Sequence, residues 1–200
     1  MTAMGLESIL EPSKTLIVNM NYSMDTFSRI FSKMEVVMAL DYLFEKASVK
    51  GIPMIYTSGA PHAVHDSEIQ EYMDAKRERA LRGSAPKSVL DRTFEDRFRY
   101  FLPDSKSTLV TVSGFDAFSS PALADAVRAS GKRTVLLTGF TTELEVYVTS
   151  ISALSRNYFS VVVSDATSTY SERVYYEALD LISRSVEVID TRDLMKIWGE

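Results

Sequence analysis

Glu145 lies in the run Thr141-Thr142-Glu143-Leu144-Glu145-Val146, between an apolar strand and an amphipathic helix, the place where an open α/β sheet presents its chemistry. A carboxylate at a helix N-terminus is favoured in its charged form. The sequence therefore predicts a Glu145 pKa below the usual range, and a side chain suited to act as a general base toward water or as a nucleophile, but poorly as a proton donor. A structural reading competes. Thr142 followed three residues later by Glu145 is a capping box, in which the threonine hydroxyl accepts a helix N–H and the glutamate reaches back to the threonine N–H. Asn19 and Asn21, at the end of an apolar run, are amides. They can orient a polar molecule by hydrogen bonds or satisfy a local turn, and they cannot take a proton from a nucleophile. Tyr22 suits a pocket wall or the surface equally. The two histidines, His62 and His65, fall in the loop after the second strand with no acidic residue two positions before His62, so loop histidines and no metal are expected. Asp25 reads as a cap or a surface charge. The chain has no cysteine, which excludes thiolate nucleophiles, disulfides and thiolate metal sites.

The elements that must position these residues can be read from periodicity. Residues 15–20 (TLIVNM) form a short apolar run of the kind buried on both faces of a sheet, and 54–57, 108–112, 134–137, 160–163 and 186–189 read likewise. Helical spacing fills 34–50, where Val36, Val37, Leu40, Leu43 and Phe44 recur before the break Gly51-Ile52-Pro53. Further helices are predicted over 67–82 and 90–101, both densely charged, and over 121–130, 142–157 and 171–185. Alternation of this kind predicts an α/β protein with a doubly wound, mainly parallel six-stranded, Rossmann-like sheet and helices on both faces. Residues 1–200 are expected to form one domain with a charged helical insertion at about 67–101. The turn Asn19-Met20-Asn21-Tyr22-Ser23-Met24 has no glycine to let a backbone approach a phosphate, so no nucleotide or other cofactor is expected.

The segment Gly139-Phe140-Thr141-Thr142-Glu143-Leu144-Glu145-Val146 resembles the G-x-x-T-N-x-C-V turn of the isochorismatase-like cysteine hydrolases, the superfamily of nicotinamidases, carbamoylsarcosine amidohydrolases and isochorismatases. Residues 6–17 (LESILEPSKTLI) are similar to that family's lead-in to its first strand, Asp116-Ala117-Phe118 to its S-A-F segment, and 161–168 (VVVSDATS) to a strand ending in a D-A dipeptide. Tyr175 holds a position that is often histidine. The resemblance implies a site built from an aspartate, a lysine and a cysteine. The aspartate of V-I-D-M-Q falls on Asn19, the lysine on Val112, six residues before Phe118, and the cysteine on Glu145. A degenerate triad is thereby implied, with Asn21, Tyr22, Phe140, Thr141 and Thr142 binding substrate around it and the backbone N–H groups of Thr141 and Glu145 pointing in as an anion site. Isochorismatases proper dispense with the cysteine but keep the aspartate, so Asn19 counts against their route as well. Related proteins assemble through faces beside the sheet, which implies a homo-oligomer using Leu144, Val148, Ile151 and Leu154.

Acidic residues outnumber basic ones, 27 to 22, and the basic ones are scattered, which argues against nucleic acid or an anionic membrane as partner. No apolar run approaches the roughly 20 residues that span a bilayer, and the N-terminus lacks a basic region followed by an apolar one, so a cytoplasmic protein is expected. The expected function is that of a non-catalytic subunit, structural or binding a small molecule. The alternative is a hydrolase of a small uncharged or cationic molecule with Glu145 as general base.

Overall fold

A computed structural model of the chain describes residues 5–58, 67–81 and 89–199. A short helix α1 (Leu6–Ile9) and a 3-10 turn lead into β1 (Thr15–Met20), followed by α2 (Met24–Phe27), α3 (Lys33–Lys50) and β2 (Met54–Ser58). Then come α4 (Ser67–Leu81), α5 (Val89–Phe98), β3 (Thr108–Thr111), α6 (Pro121–Ala129) and β4 (Thr134–Phe140). A π-helical turn (Thr142–Val146), α7 (Tyr147–Ser155), β5 (Phe159–Ser168), α8 (Glu172–Ser183), β6 (Glu187–Ile189) and α9 (Thr191–Trp198) complete the order.

The six strands form one sheet in the order β3-β2-β1-β4-β5-β6, every pair parallel, as the alternation of the sequence predicts. The chain winds outward from β1 to β3 with α3 and α5 on one face, then returns to β4 and winds to β6 with α6, α7 and α8 on the other. Each face carries its own core. Ile17, Leu136 and Tyr56 meet Leu40 and Leu43 of α3, Phe98 of α5 and Trp198 of α9. Leu16, Val18 and Met20 meet Leu123 of α6, Val146, Ala153 of α7 and Ile182 of α8. All six residues of β1 are buried, which is what a central parallel strand covered by helices on both sides requires. The reversal of strand order falls between β1 and β4, the crevice where open α/β sheets place their sites.

Several predicted boundaries shift for physical reasons. β4 runs to Phe140 rather than ending at 137, because Gly139 lets it pass against β1: at φ 111°, a Cβ there would stand 2.0 Å from the Met20 carbonyl oxygen. β5 runs to Ser168 rather than ending at 163, after a register shift between Leu137 and Gly139 of its neighbour. The helix expected over 142–157 is instead a wide π turn followed by the nine-residue α7. Helix α9 is additional. His62 and His65 lie outside the described residues.

Candidate functional site

Glu145 sits in the π turn, only 6% exposed, with its side chain folded back on the start of its own element. Its Oε2 accepts hydrogen bonds from the Thr141 backbone N–H at 2.9 Å and the Thr141 hydroxyl at 2.8 Å. The N-cap is Thr141, so the glutamate reaches back four residues to the N-cap amide rather than three to Thr142. The wider turn accounts for the extra residue: Val146 N–H bonds the Thr141 carbonyl, an i to i+5 link, at 3.1 Å. Thr142 does not cap. Its hydroxyl pairs with Thr167 Oγ1 at 3.0 Å, and the Thr167 hydroxyl donates to the Gly139 carbonyl at 2.7 Å, tying the turn to β5.

The other oxygen, Glu145 Oε1, is buried with no hydrogen-bond partner. Glu145 lines a cavity of about 20 Å³ together with Met20, Asn21, Val112, Ala117 and Thr149, room for one water-sized molecule. No lysine, arginine or histidine lines it among the described residues. Burial is the largest influence on the Glu145 carboxyl and raises its pKa, and Glu143 nearby raises it further, while the hydrogen bonds from Thr141 and its own backbone N–H pull the other way. The depressed pKa expected from the helix N-terminus is thus corrected. Desolvation outweighs the turn's dipole, so this carboxyl holds its proton more tightly than an ordinary glutamate does.

The positions singled out in the sequence separate onto two faces. Glu145, Val112 and Asn21 come together at the cavity. Asn21 holds φ 53°, a left-handed conformation that asparagine tolerates, with its N–H bonded to the Thr57 carbonyl at 3.1 Å. Asn19 is fully buried beside Ile17 and Tyr56, on the opposite face, and does not line the cavity. Its Oδ1 accepts from the Thr138 hydroxyl at 2.8 Å and its Nδ2 lies 3.7 Å from Met54 Sδ. Since Thr138 donates to Asn19, the Tyr22 hydroxyl donates to Thr138, at 2.7 Å. Tyr22 is therefore a core residue with a buried phenol whose pKa burial pushes far up, stacked 5.6 Å from Phe140. Phe140 itself is fully buried among Tyr22, Phe27 and Phe98. Thr138 and Thr149 were not singled out. Their signal was a threonine inside an otherwise apolar run, too common to mark a site.

Chemically, the turn's anion-directed donors are taken up by the protein's own carboxylate. The Thr141 N–H, expected to face a ligand, is bonded to Glu145. Among the described residues no group of three or more histidine, aspartate or glutamate side chains is placed to hold a metal ion.

A search of curated proteins returns no match. Solved structures match throughout. The chain is similar to a cysteine hydrolase from Pseudomonas syringae pv. phaseolicola, with TM-score 0.70 and 15% identity over 95% of this chain and 94% of that one. An isochorismatase family protein from Burkholderia thailandensis gives TM-score 0.70 and 21% identity over 96% and 98%. The YcaC gene product of Escherichia coli, described as an octameric hydrolase of unknown specificity, gives TM-score 0.63 and 19% identity over 92% and 78%. At these identities the structures speak for the fold alone. The family itself is given by the sequence: the model of the isochorismatase domain matches residues 16–193, nearly the whole of the sheet and its helices, and the chain belongs to the isochorismatase family.

Proposed function

We propose that this chain is a non-catalytic member of that hydrolase family, a structural or small-molecule-binding subunit whose reaction site is occupied by its own Glu145. The observation that carries this reading is the pair of hydrogen bonds from Thr141 N–H and Oγ1–H to Glu145 Oε2, at 2.9 and 2.8 Å. Donors that would stabilise a developing oxyanion are already spent on an internal carboxylate, and the space left beside it, about 20 Å³, is that of one water. Val112 offers no cation and Asn19, turned to the other face, offers no proton acceptor.

One observation favours the alternative, a hydrolase with Glu145 as base. Its unpartnered Oε1 and raised pKa, beside a cavity that fits a water, are properties of a general base. The same cavity has no room for the substrate that such a water would attack, and the first reading prevails on that ground. Purified protein incubated with nicotinamide, an N-carbamoyl amino acid and a vinyl ether should show no hydrolysis above a heat-inactivated control. Turnover that disappears in Glu145→Ala would overturn the proposal and establish the alternative.

A further inference from the structure

A second and larger concavity lies beyond the carboxyl end of β6, between α3, α8 and α9, and shares no residue with the Glu145 cavity. Its volume is about 580 Å³, within the range of small-molecule sites. Its floor is Asp165, held by the Thr191 backbone N–H at 3.1 Å to each carboxylate oxygen and by the Thr191 hydroxyl. One wall is α8, where the rings of Tyr175 and Tyr176 meet edge-on at 5.1 Å and 71°. Tyr175 is fixed by its hydroxyl, which donates to the Ser164 carbonyl at 2.7 Å, while Tyr176 is left 60% exposed. The facing wall is α3, where Glu35 and Met38 are one turn apart and Met38 is 65% exposed.

The charges around this groove do not balance. Arg192 is the only basic residue lining it among the described residues, and its Nε donates to Asp190 at 2.8 Å, so that pair neutralises itself. Arg192 also attracts Asp165 at longer range, but one guanidinium faces three carboxylates, Asp165, Asp190 and Glu35, and the groove keeps an excess of negative charge. A partly desolvated carboxylate amid an excess of negative charge is costly, and a further cation sharing its surroundings relieves that cost. The exposed Tyr176 ring adds to the same preference, because a cation over a tyrosine ring is attracted by the ring's quadrupole.

We propose that this groove binds a small organic cation with an apolar body, its charge held by Asp165 and Glu35 and its body lying against Tyr176 and Met38. A primary amine or guanidinium on an aromatic or aliphatic stem has this chemistry. Burial and the neighbouring Asp190 push the Asp165 carboxyl up, against the hydrogen bonds from Thr191, which agrees with a group awaiting a cation.

The test uses the full chain and three probes of one shape: benzylamine, benzyl alcohol and benzoate, followed by saturation-transfer NMR and calorimetry. Benzylamine should bind saturably, and benzyl alcohol and benzoate at least about tenfold more weakly. Glu35→Gln and Tyr176→Ala, both at exposed positions where the fold is kept, should each weaken benzylamine about threefold or more. The proposal is overturned by an absence of saturable amine binding, by benzyl alcohol binding as tightly as benzylamine, or by either variant binding the amine as the parent does.

Discussion

The two oxygens of Glu145 have unlike surroundings, Oε2 with two donors from Thr141 and Oε1 with none, and that asymmetry separates two substitutions. Glu145→Ala strands a buried N–H and a buried hydroxyl, so it should lose about 1–3 kcal/mol in urea denaturation. Glu145→Gln keeps one acceptor for Thr141 and should lose distinctly less. The pH dependence follows from the raised pKa. The folded state holds the Glu145 proton more tightly than the unfolded chain, so the associated stability is fully present below the ordinary carboxylate range and is lost as pH rises through the folded pKa. Glutamine cannot titrate, and Asp165, whose pKa is also raised, is common to both proteins. The parent's stability relative to Glu145→Gln should therefore fall as pH rises from the ordinary carboxylate range. Parallel curves would assign the titration to another group. The sequence identified Glu145 and its habit of reaching back to an N-cap, but it gave the wrong sign to its pKa. Helix position is visible in a sequence, whereas desolvation depends on what packs above the turn from β1 and β3.

The π turn is the element that turns this glutamate inward, and removing the side chain should leave its donors facing an enlarged cavity. Acetate, the missing carboxylate in free form, should then raise the melting temperature of Glu145→Ala more than that of the parent, measured by fluorescence. An equal effect on both would mean that the donors are not available to a ligand. At the far end of the chain, α9 closes one core: Asp190 caps it by accepting the Asp193 N–H at 3.1 Å, and Trp198 Nε1 donates to the Leu10 carbonyl at 2.7 Å. Trp198→Ala should cost about 3–5 kcal/mol, and Trp198→Phe, which loses chiefly the hydrogen bond, about 1–3 kcal/mol by the same denaturation assay. The central elements were legible because TLIVNM and the apolar spacing of 34–50 leave little choice. The ends of β4 and β5 were not, because Thr138-Gly139 and Asp165-Ala166-Thr167 carry the residues of turns, and the strands resume pairing only past the register shift, at Gly139–Thr167 and Phe140–Ser168. Helix α9 was missed since charged residues occupy its first turns and its apolar face, Leu194 and Trp198, is short.

For the molecule as a whole, α7 and the turn before it present an unusual division. The inward side is Val146, Thr149, Ser150 and Ala153, largely small or polar, whereas Leu144, Val148 and Ile151 are half-buried and Leu154 is 43% exposed. An apolar stripe directed outward suits a contact between copies of the chain. Sedimentation at micromolar concentration should show a species heavier than the 22.4 kDa chain, and Leu154→Glu should make it lighter without lowering the melting temperature. A single 22.4 kDa species in the parent would refute that assembly. The bond between Glu145 and Thr141 also bears on the history open to such a molecule. Placing a cysteine at 145 would supply a thiol but leave the Thr141 donors buried and unmatched, at about 1–3 kcal/mol, before any rate was gained. An aspartate at 19 would arrive on the far side of the sheet, beside Thr138 and Met54. On the non-catalytic reading proposed above, neither step toward a thiol site brings an immediate benefit and the first is opposed by stability, so the chain would be held where it is as by a ratchet.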